Sequence, residues 1–445
     1  MRVVPATPSV GTAGVWFVLS YGAAVVGYVA VSALASRLLH HDFGYFHIAM
    51  SASLDAALLA LFGAHRGALR QAARLDPADD AGLVGLRRDV RAISLFTLPA
   101  AAAAGAVGAW LLSGGQERTT RLVLAASVGA VIWLSGRQKL IANVLRGLGS
   151  VRFAGLVEGR SGGALVAACQ CVAVGAVILL VPAPSVAVVL GAVAVGFAGP
   201  VLFAHLLLRR RWSHVKMARP RLADAQAAMS QNRHFASNLV AAALNTNIDL
   251  WLAGLLLTAY ETSLFSAAER VSTLLPVVTM SLGVVASPLV SRSVGHRSDE
   301  LESLLRTGAT VAAGLTLLLW LPMLLAPGAV LRLIFGDAFG PAAVILVILT
   351  LGGMSNVLTG ACSVALSMSG HEAIVSRVQW AAVALRSALG LVLVSMFGVT
   401  GLAISASGVT ALMWCALWWF SLRRTGIRTH PTSRPDVMLL RRVPA

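Results

Sequence analysis

Five charged residues sit deep inside long apolar stretches of this 445-residue chain: Asp55, Asp249, Glu269, Arg270 and Arg386. A charge near the centre of a bilayer costs at least roughly 2.5–3.5 kcal/mol, so it faces protein or water and is a functional candidate. Asp249 lies about 12 Å, and Arg270 about 10 Å, from the outer ends of their stretches at 1.5 Å per residue. Only a short turn, Tyr260 to Thr262, separates the two stretches, so the spacing predicts neighbouring helices with Asp249 and Arg270 at one depth. Asn245 precedes Asp249 by one helical turn and shares its face. Arg386 falls at a similar depth in a later stretch. Such a group lines a polar cavity or forms a buried ion pair that ties helices together. Glu269 and Arg270 point about 100° apart on a helix, so at most one is central to a cavity. Asp55, near the middle of its stretch, either lines the cavity or bonds a neighbouring helix. His47 and His205 read as packed or interfacial histidines before they read as proton carriers.

The elements that position these residues are apolar helices. Hydrophobic residues make up 57% of the chain and charged residues 12%, against roughly 25% charged in a soluble domain. Twelve stretches approach the length of about 20 residues that a bilayer needs. They run over 13–34, 43–63, 93–113, 121–138, 160–181, 185–208, 236–257, 263–290, 304–326, 341–366, 379–396 and 400–421. With the N-terminus assigned to the cytoplasm, 29 of the 35 Lys and Arg residues fall in cytoplasmic segments, counting Arg137, Arg160 and Arg306 at the cytoplasmic ends of their stretches. Basic residues are retained inside during insertion, so this bias sets the topology, with both termini cytoplasmic in the inner membrane. The net charge of +17 is therefore mostly topological and calls for no nucleic-acid partner. The first apolar run, Ala13 to Leu34, is long enough to span and lacks a small-residue cleavage site, which argues against a removable leader. Cys169, Cys171, Cys362 and Cys415 all fall in apolar stretches and outline neither a disulfide framework nor a metal site.

The fold class expected is an all-α polytopic membrane protein with about twelve transmembrane helices in two six-helix lobes. The segments are an N-terminal lobe (1–208), a basic cytoplasmic linker (209–235) opening with Arg209-Arg210-Arg211, a C-terminal lobe (236–421) and a cytoplasmic tail (422–445) expected to be mobile. Arg441 and Arg442 in that tail read as solvated before they read as lipid contacts. Two short internal matches join the halves. Phe46 and Ala49 correspond to Phe265 and Ala268, and Leu145 to Gly149 corresponds to Leu366 to Gly370. An even number of spans per half makes such repeats parallel, related by a pseudo-two-fold axis along the membrane normal. Prolines interrupt several spans (Pro99, Pro200, Pro276, Pro288 and Pro322), with Pro276 expected to kink its helix, while Pro341 suits the first position of a helix.

Four stretches carry a family resemblance: Leu145-Arg146-Gly147-Leu148-Gly149 followed by Arg152; Asp249 through Leu264-Phe265-Ser266-Ala267-Ala268; Ser287-Pro288-Leu289-Val290-Ser291; and Leu333-Ile334-Phe335-Gly336-Asp337-Ala338-Phe339 with the apolar run after it. Together they resemble the polysaccharide-biosynthesis, or Wzx-type, oligosaccharide-lipid flippases of the multidrug/oligosaccharidyl-lipid/polysaccharide exporter superfamily. Ser263-Leu264-Phe265 lacks the tyrosine often found at that turn. The resemblance implies a two-lobed transporter that alternates between inward- and outward-facing states. Its cargo would be a sugar or oligosaccharide on a polyprenyl pyrophosphate, with membrane lipids and polysaccharide-assembly proteins as partners and no cofactor. Coupling to proton, sodium or membrane potential stays open. Arginine suits the pyrophosphate through its bidentate fork. Arg270 and Arg386 are the cavity candidates for it, with Asp249, Asn245 and Asp55 beside them. Arg137, Arg146, Arg152 and Arg160 are candidates for cytoplasmic entry, or else topology signals with snorkelling side chains.

Other readings remain. A drug/cation antiporter of the same superfamily would favour a carboxylate-dominated cavity, and here arginines compete with the acids. A peptidoglycan-precursor flippase is close in chemistry, though twelve spans rather than fourteen count against it. An enzyme such as a membrane glycosyltransferase or polymerase would need a catalytic loop, and the longest external one, Ala326 to Gly340, has about 15 residues. A non-transporting membrane scaffold is the last alternative.

Overall fold

The computed structural model describes residues 10–75, 80–158, 163–213, 215, 218–280 and 299–435. Two of the expectations above, the role of Arg160 and the Ser287–Ser291 motif with Pro288, lie outside these residues, as do Arg441 and Arg442. Among the described residues every regular element is helical. The chain divides into two compact units, Met1–Val240 and Ala241–Ala445. The division falls inside a helix, so the linker that the sequence set apart at 209–235 packs as part of the first unit.

In the first unit, α1 (Val10–Leu39), α2 (Phe43–Leu61), α5 (Leu98–Leu112), α6 (Arg118–Gly147), α8 (Ala164–Leu180) and α9 (Val186–Arg211) are the long apolar elements. α6 is central and packs on α9, α5 and α2, while α8 packs on α9 and α1. Short amphipathic helices cap one end: α3 (Ala64–Arg74), α4 (Asp80–Ala92), α7 (Val151–Val157) and α10 (Leu222–Gln231). Ala64, Ala68 and Ala72 recur every fourth residue on α3 and are buried with Leu140, Ile141, Val144 and Leu145 of α6. Their small side chains form one face that lies close on α6. α4 runs into α5 through a π-helical turn, Ile93–Thr97, the wider backbone turn that recurs within α-helices.

The second unit holds most of α11 (Arg233–Leu256), then α12 (Ala259–Ser272), α13 (Asp299–Leu325), α14 (Pro327–Phe335), α15 (Ala343–Thr359), α16 (Cys362–Met368) and α17 (Glu372–Thr425). α12 starts with a reciprocal cap: Thr258 Oγ1 accepts from Glu261 N–H at 3.3 Å, and Glu261 Oε2 accepts from Thr258 N–H at 3.1 Å. α17 is two helices joined at Gly398, whose φ of +59° is left-handed and suits glycine. A Cβ on Gly401 would approach the Leu393 carbonyl oxygen to 1.9 Å, so the two halves meet too closely there for a larger residue. This bend falls on the link expected at Phe397–Val399.

Among the described residues eight helices are long and apolar enough to cross a membrane. Two of those stretches each take in a pair of the expected spans: Leu19–Leu61 covers most of the first two, and Glu372–Thr425 contains the last two. α8 matches the fifth span at a shorter length, and α12 holds the start of the eighth. Large apolar side chains such as Leu112, Leu179 and Leu255 point outward at 80% exposure or more, the surface a lipid bilayer would cover.

Four local expectations are corrected. The eighth span is broken rather than kinked: α12 stops at Ser272, residues 273–275 form a turn, and Pro276 begins a new helical segment. Pro341 lies in a 3-10 turn, Asp337–Ala342, ahead of α15 rather than at its first position. The external link from Ala326 is occupied by α14 instead of a loop. The tail is docked as far as Thr432. Thr429 Oγ1 donates to the Thr359 carbonyl at 2.7 Å, Thr432 N–H donates to Thr310 Oγ1 at 2.8 Å, and Arg428 N–H donates to Glu302 at 3.2 Å. Trp418 Nε1 donates to His430 Nδ1 at 3.3 Å. Backbone groups that would otherwise fray thus find partners on α13 and α15.

Candidate functional site: a caged arginine between α11 and α17

Asn245 and Asp249 lie one turn apart on α11, so their side chains emerge on one face. The first half of α17 crosses that face. Asn245 Nδ2 donates to the Gln379 carbonyl at 2.9 Å, and one helical level further on Arg386 Nη1 donates to Asp249 Oδ2 at 2.8 Å. The same Nη1 donates to the Asn245 carbonyl at 2.7 Å. The second half of α17 supplies the other side of the guanidinium: Nη2 donates to Thr410 Oγ1 at 2.6 Å and reaches the Ala406 carbonyl at 3.4 Å. Ser405 Oγ donates back to the Arg386 carbonyl at 3.5 Å. A Cβ on Gly390 would come within 3.0 Å of Leu252, so the missing side chain there lets α17 lie close to α11.

Arg386 and Asp249 are 5% and 4% exposed. A charge pair this dry persists only with good geometry and added hydrogen bonds, and both are present here. Its capacity is not spent. Asp249 Oδ1, Asn245 Oδ1, Gln379 Oε1 and Arg386 Nε are buried without a hydrogen-bond partner. Each such group costs about 1–3 kcal/mol when left unmade, so the cluster is primed to accept further polar contacts.

The ion pair differs from the one expected. Asp249 takes Arg386, from a segment over 130 residues away in sequence, and not Arg270 from the next helix. Arg270 is buried at 9% exposure on α12, and its carbonyl accepts from Thr273 Oγ1 at 2.6 Å. Asp55, in the first unit, is also buried at 9% exposure on α2. It therefore belongs to a different compact unit from the other cavity candidates. His47 is packed against Phe43 with ring centroids 6.2 Å apart, and His205 faces outward.

The arginines at the capped end of the first unit gather around an acid the sequence reading did not single out. Arg146 Nη2 lies 2.7 Å from Glu158 Oε2, and Asn143 Nδ2 donates to Glu158 Oε1 at 2.7 Å. Gln138 Nε2 donates to the Val157 carbonyl and holds the same corner. Arg211 Nη2 donates to Ser150 Oγ at 3.2 Å. Arg137 stacks over the Trp133 ring at 5.1 Å, whereas Arg152 is exposed. His65, on α3, is held near pKa 3 by its burial and by the neighbouring charges of Lys139 and Arg66. Burial lowers the Arg66 pKa as well, with Glu158 opposing. Glu158 had one sequence signal: it is the single acid between Arg137 and Arg160. Thr410 and Gln379 had none: threonine is common in apolar helices, and Gln379 bonds Asn245 through its backbone carbonyl, which every residue carries. Among the described residues no group of three His, Cys, Asp or Glu side chains could hold a metal ion.

No protein-family model and no curated protein matches this chain. Its backbone, in contrast, matches solved transporters over nearly its whole length. It is similar to an outward-facing multidrug resistance MATE family transporter of the MOP superfamily, at 14% identity and a TM-score of 0.55 over 94% of this chain and 97% of that one. It is also similar to a MOP superfamily transporter from Pyrococcus furiosus described as having a binding pocket of reversed polarity, at 14% identity and a TM-score of 0.54 over 94% and 97%. The lipid II flippase MurJ in an inward closed conformation matches at 12% identity and a TM-score of 0.62 over 93% of this chain and 86% of that chain. The fold of this protein is the fold of the MOP-superfamily transporters and flippases.

Proposed function

We propose that this protein is a flippase that moves a polyprenyl-pyrophosphate-linked sugar or oligosaccharide across the inner membrane by alternating access, for cell-surface polysaccharide synthesis. One observation carries the reading: a dry cluster of Asn245, Asp249 and Arg386, with hydrogen-bonding atoms still unspent, inside apolar helices. The shared fold with transporters, one of them a lipid flippase, supports it. A sugar headgroup cannot cross hydrocarbon unaided, whereas its polyprenyl tail belongs there. A path that shelters only the headgroup serves both parts of such a molecule.

Within this reading the two embedded arginines divide the work. Arg386 holds Asp249 and Thr410, and Arg270, buried on the neighbouring α12, is the proposed contact for the pyrophosphate. Arg146, held by Glu158, would meet the same headgroup on the cytoplasmic side, the anion displacing the carboxylate. Both termini are cytoplasmic, membrane lipids and polysaccharide-assembly proteins are the partners, and no cofactor takes part. A drug/cation antiporter is disfavoured because the Asp249 carboxylate is already neutralised by Arg386.

The test is flipping of a fluorescent lipid-pyrophosphate sugar in reconstituted vesicles. Wild-type protein should flip it, and Arg270→Gln should slow flipping about tenfold or more, with equal amounts of folded protein. A tenfold loss corresponds to about 1.4 kcal/mol, within reach of one charge-assisted hydrogen bond. Wild-type rates in Arg270→Gln remove the phosphate contact, and failure of the wild type with a panel of such lipids removes the function.

A further inference from the structure

The environment of the Arg386 guanidinium has the composition of a hard-cation site. Four oxygens surround its two terminal nitrogens: a carboxylate oxygen from Asp249, backbone carbonyls from Asn245 and Ala406, and the Thr410 hydroxyl, at 2.6 to 3.4 Å. A fifth, Asp249 Oδ1, is buried without a hydrogen-bond partner. Carboxylate, carbonyl and hydroxyl oxygens converging from separate helical segments are the donors that hold small metal cations. They are also costly to keep together without positive charge, because their dipoles and the carboxylate repel one another in a dry interior. A buried guanidinium needs acceptors beyond the carboxylate, and here they come from α11 and from the half of α17 beyond the Gly398 bend, so the oxygens converge on one point from three helical segments.

We infer that the Arg386 guanidinium is the tethered resident cation of this oxygen cage, so that the cage takes no free monovalent cation in the native protein and becomes a site for one when the guanidinium is removed. The tether changes what the cage can do. A dissociable ion would make the spacing of α11 and the two halves of α17 depend on ion concentration. A covalently held one keeps the three segments charge-compensated at any salt composition. A movement of these helices then takes its energy from the cargo or from the membrane potential and not from ion binding at this place. That last consequence rests on the transport reading; the identity of the cage does not.

The experiment therefore reads cation binding alone, on purified full-length protein. Thermal unfolding is followed at constant ionic strength in sodium, potassium, choline or low-millimolar methylguanidinium chloride. For the wild type we expect the same midpoint in all four. For Arg386→Ala we expect a lowered midpoint and a saturable rise, on the order of 2 °C, in methylguanidinium or sodium relative to choline. Asp249→Asn added to Arg386→Ala should abolish the rise, because it removes the anionic ligand. Arg386→Lys, which keeps a tethered cation, should behave as the wild type. Arg386→Gln is the second variant should Arg386→Ala not be recovered folded, and the same rise is expected of it. An Asp249-dependent sodium or potassium response in the wild type would overturn the inference, as would the absence of any cation-selective response in folded Arg386→Ala or Arg386→Gln.

Discussion

Breaking the Asp249–Arg386 pair from one side should harm the protein more than removing both charges together. The separation is 2.8 Å between Nη1 and Oδ2. At an effective dielectric constant of 20, unit charges that close attract by roughly 6 kcal/mol before desolvation is counted. Most of that offsets the burial of the two ions, so the net worth of the pair is small. A lone survivor has no such offset, and removing one partner of a buried pair costs about 3–5 kcal/mol. Arg386→Gln also deprives Thr410 of its donor, a loss of about 1 kcal/mol. Asp249→Asn with Arg386→Gln leaves two neutral amides in the same volume, which can bond each other. The coupling energy in the cycle, the two single losses less the small double loss, should therefore be about 5 kcal/mol or more. Unfolding by dodecyl sulfate in mixed micelles, followed by the fluorescence of the 10 tryptophans, measures it. Additive single variants, with coupling below about 0.5 kcal/mol, would refute the reasoning and detach Arg386 from Asp249.

Three further outcomes follow from particular contacts. His65 is neutral when folded, with a pKa near 3 against 6.5 when exposed. Between these values only the unfolded chain takes up a proton, so stability is full above pH 6.5 and falls with pH below it. From pH 7.5 to 5.5 the loss should be about 1.4 kcal/mol, and His65→Asn should flatten that slope. A Cβ on Gly67 would stand 2.2 Å from Asn232 Oδ1, and Asn232 is pinned by its Nδ2 donating to the Ala228 carbonyl at 2.7 Å. Gly67→Ala should cost about 1–3 kcal/mol, and most should return when Asn232→Ala is added. Val215, in the basic stretch after α9, should be inaccessible from outside the cell. A Val215→Cys variant in a background without the four native cysteines should react with an impermeant thiol reagent only after the membrane is opened, and labelling of intact cells would reverse the topology.

Sequence alone was enough to determine the class of the molecule and to single out the charges within its apolar helices. Apolar stretches separated by basic links permit a helical membrane protein and little else, because hydrocarbon leaves backbone amides no partners outside a helix or a closed barrel. The left-handed bend at Gly398 also fell where the chain showed a short link. Depth follows from counting residues, because an α-helix rises 1.5 Å per residue wherever it is. That is why Asp249, Arg270 and Arg386 stood out together. Partnership does not follow from counting. It depends on which helices touch and which faces they turn to each other, and that is settled by packing across the whole unit. Sequence proximity favoured Arg270 for Asp249. The close approach of Gly390 to Leu252 and the anchoring of Asn245 to Gln379 instead bring α17 across the acidic face of α11. The same holds for Glu158, which becomes meaningful only once α6 and α7 set it against Arg146, and for the tail, whose docking needs Thr310 of α13 and the end of α15 to be within its reach together. Tertiary structure decided these because a charge in a dry interior goes to the partner that its backbone holds within reach, however far away that partner lies in the sequence.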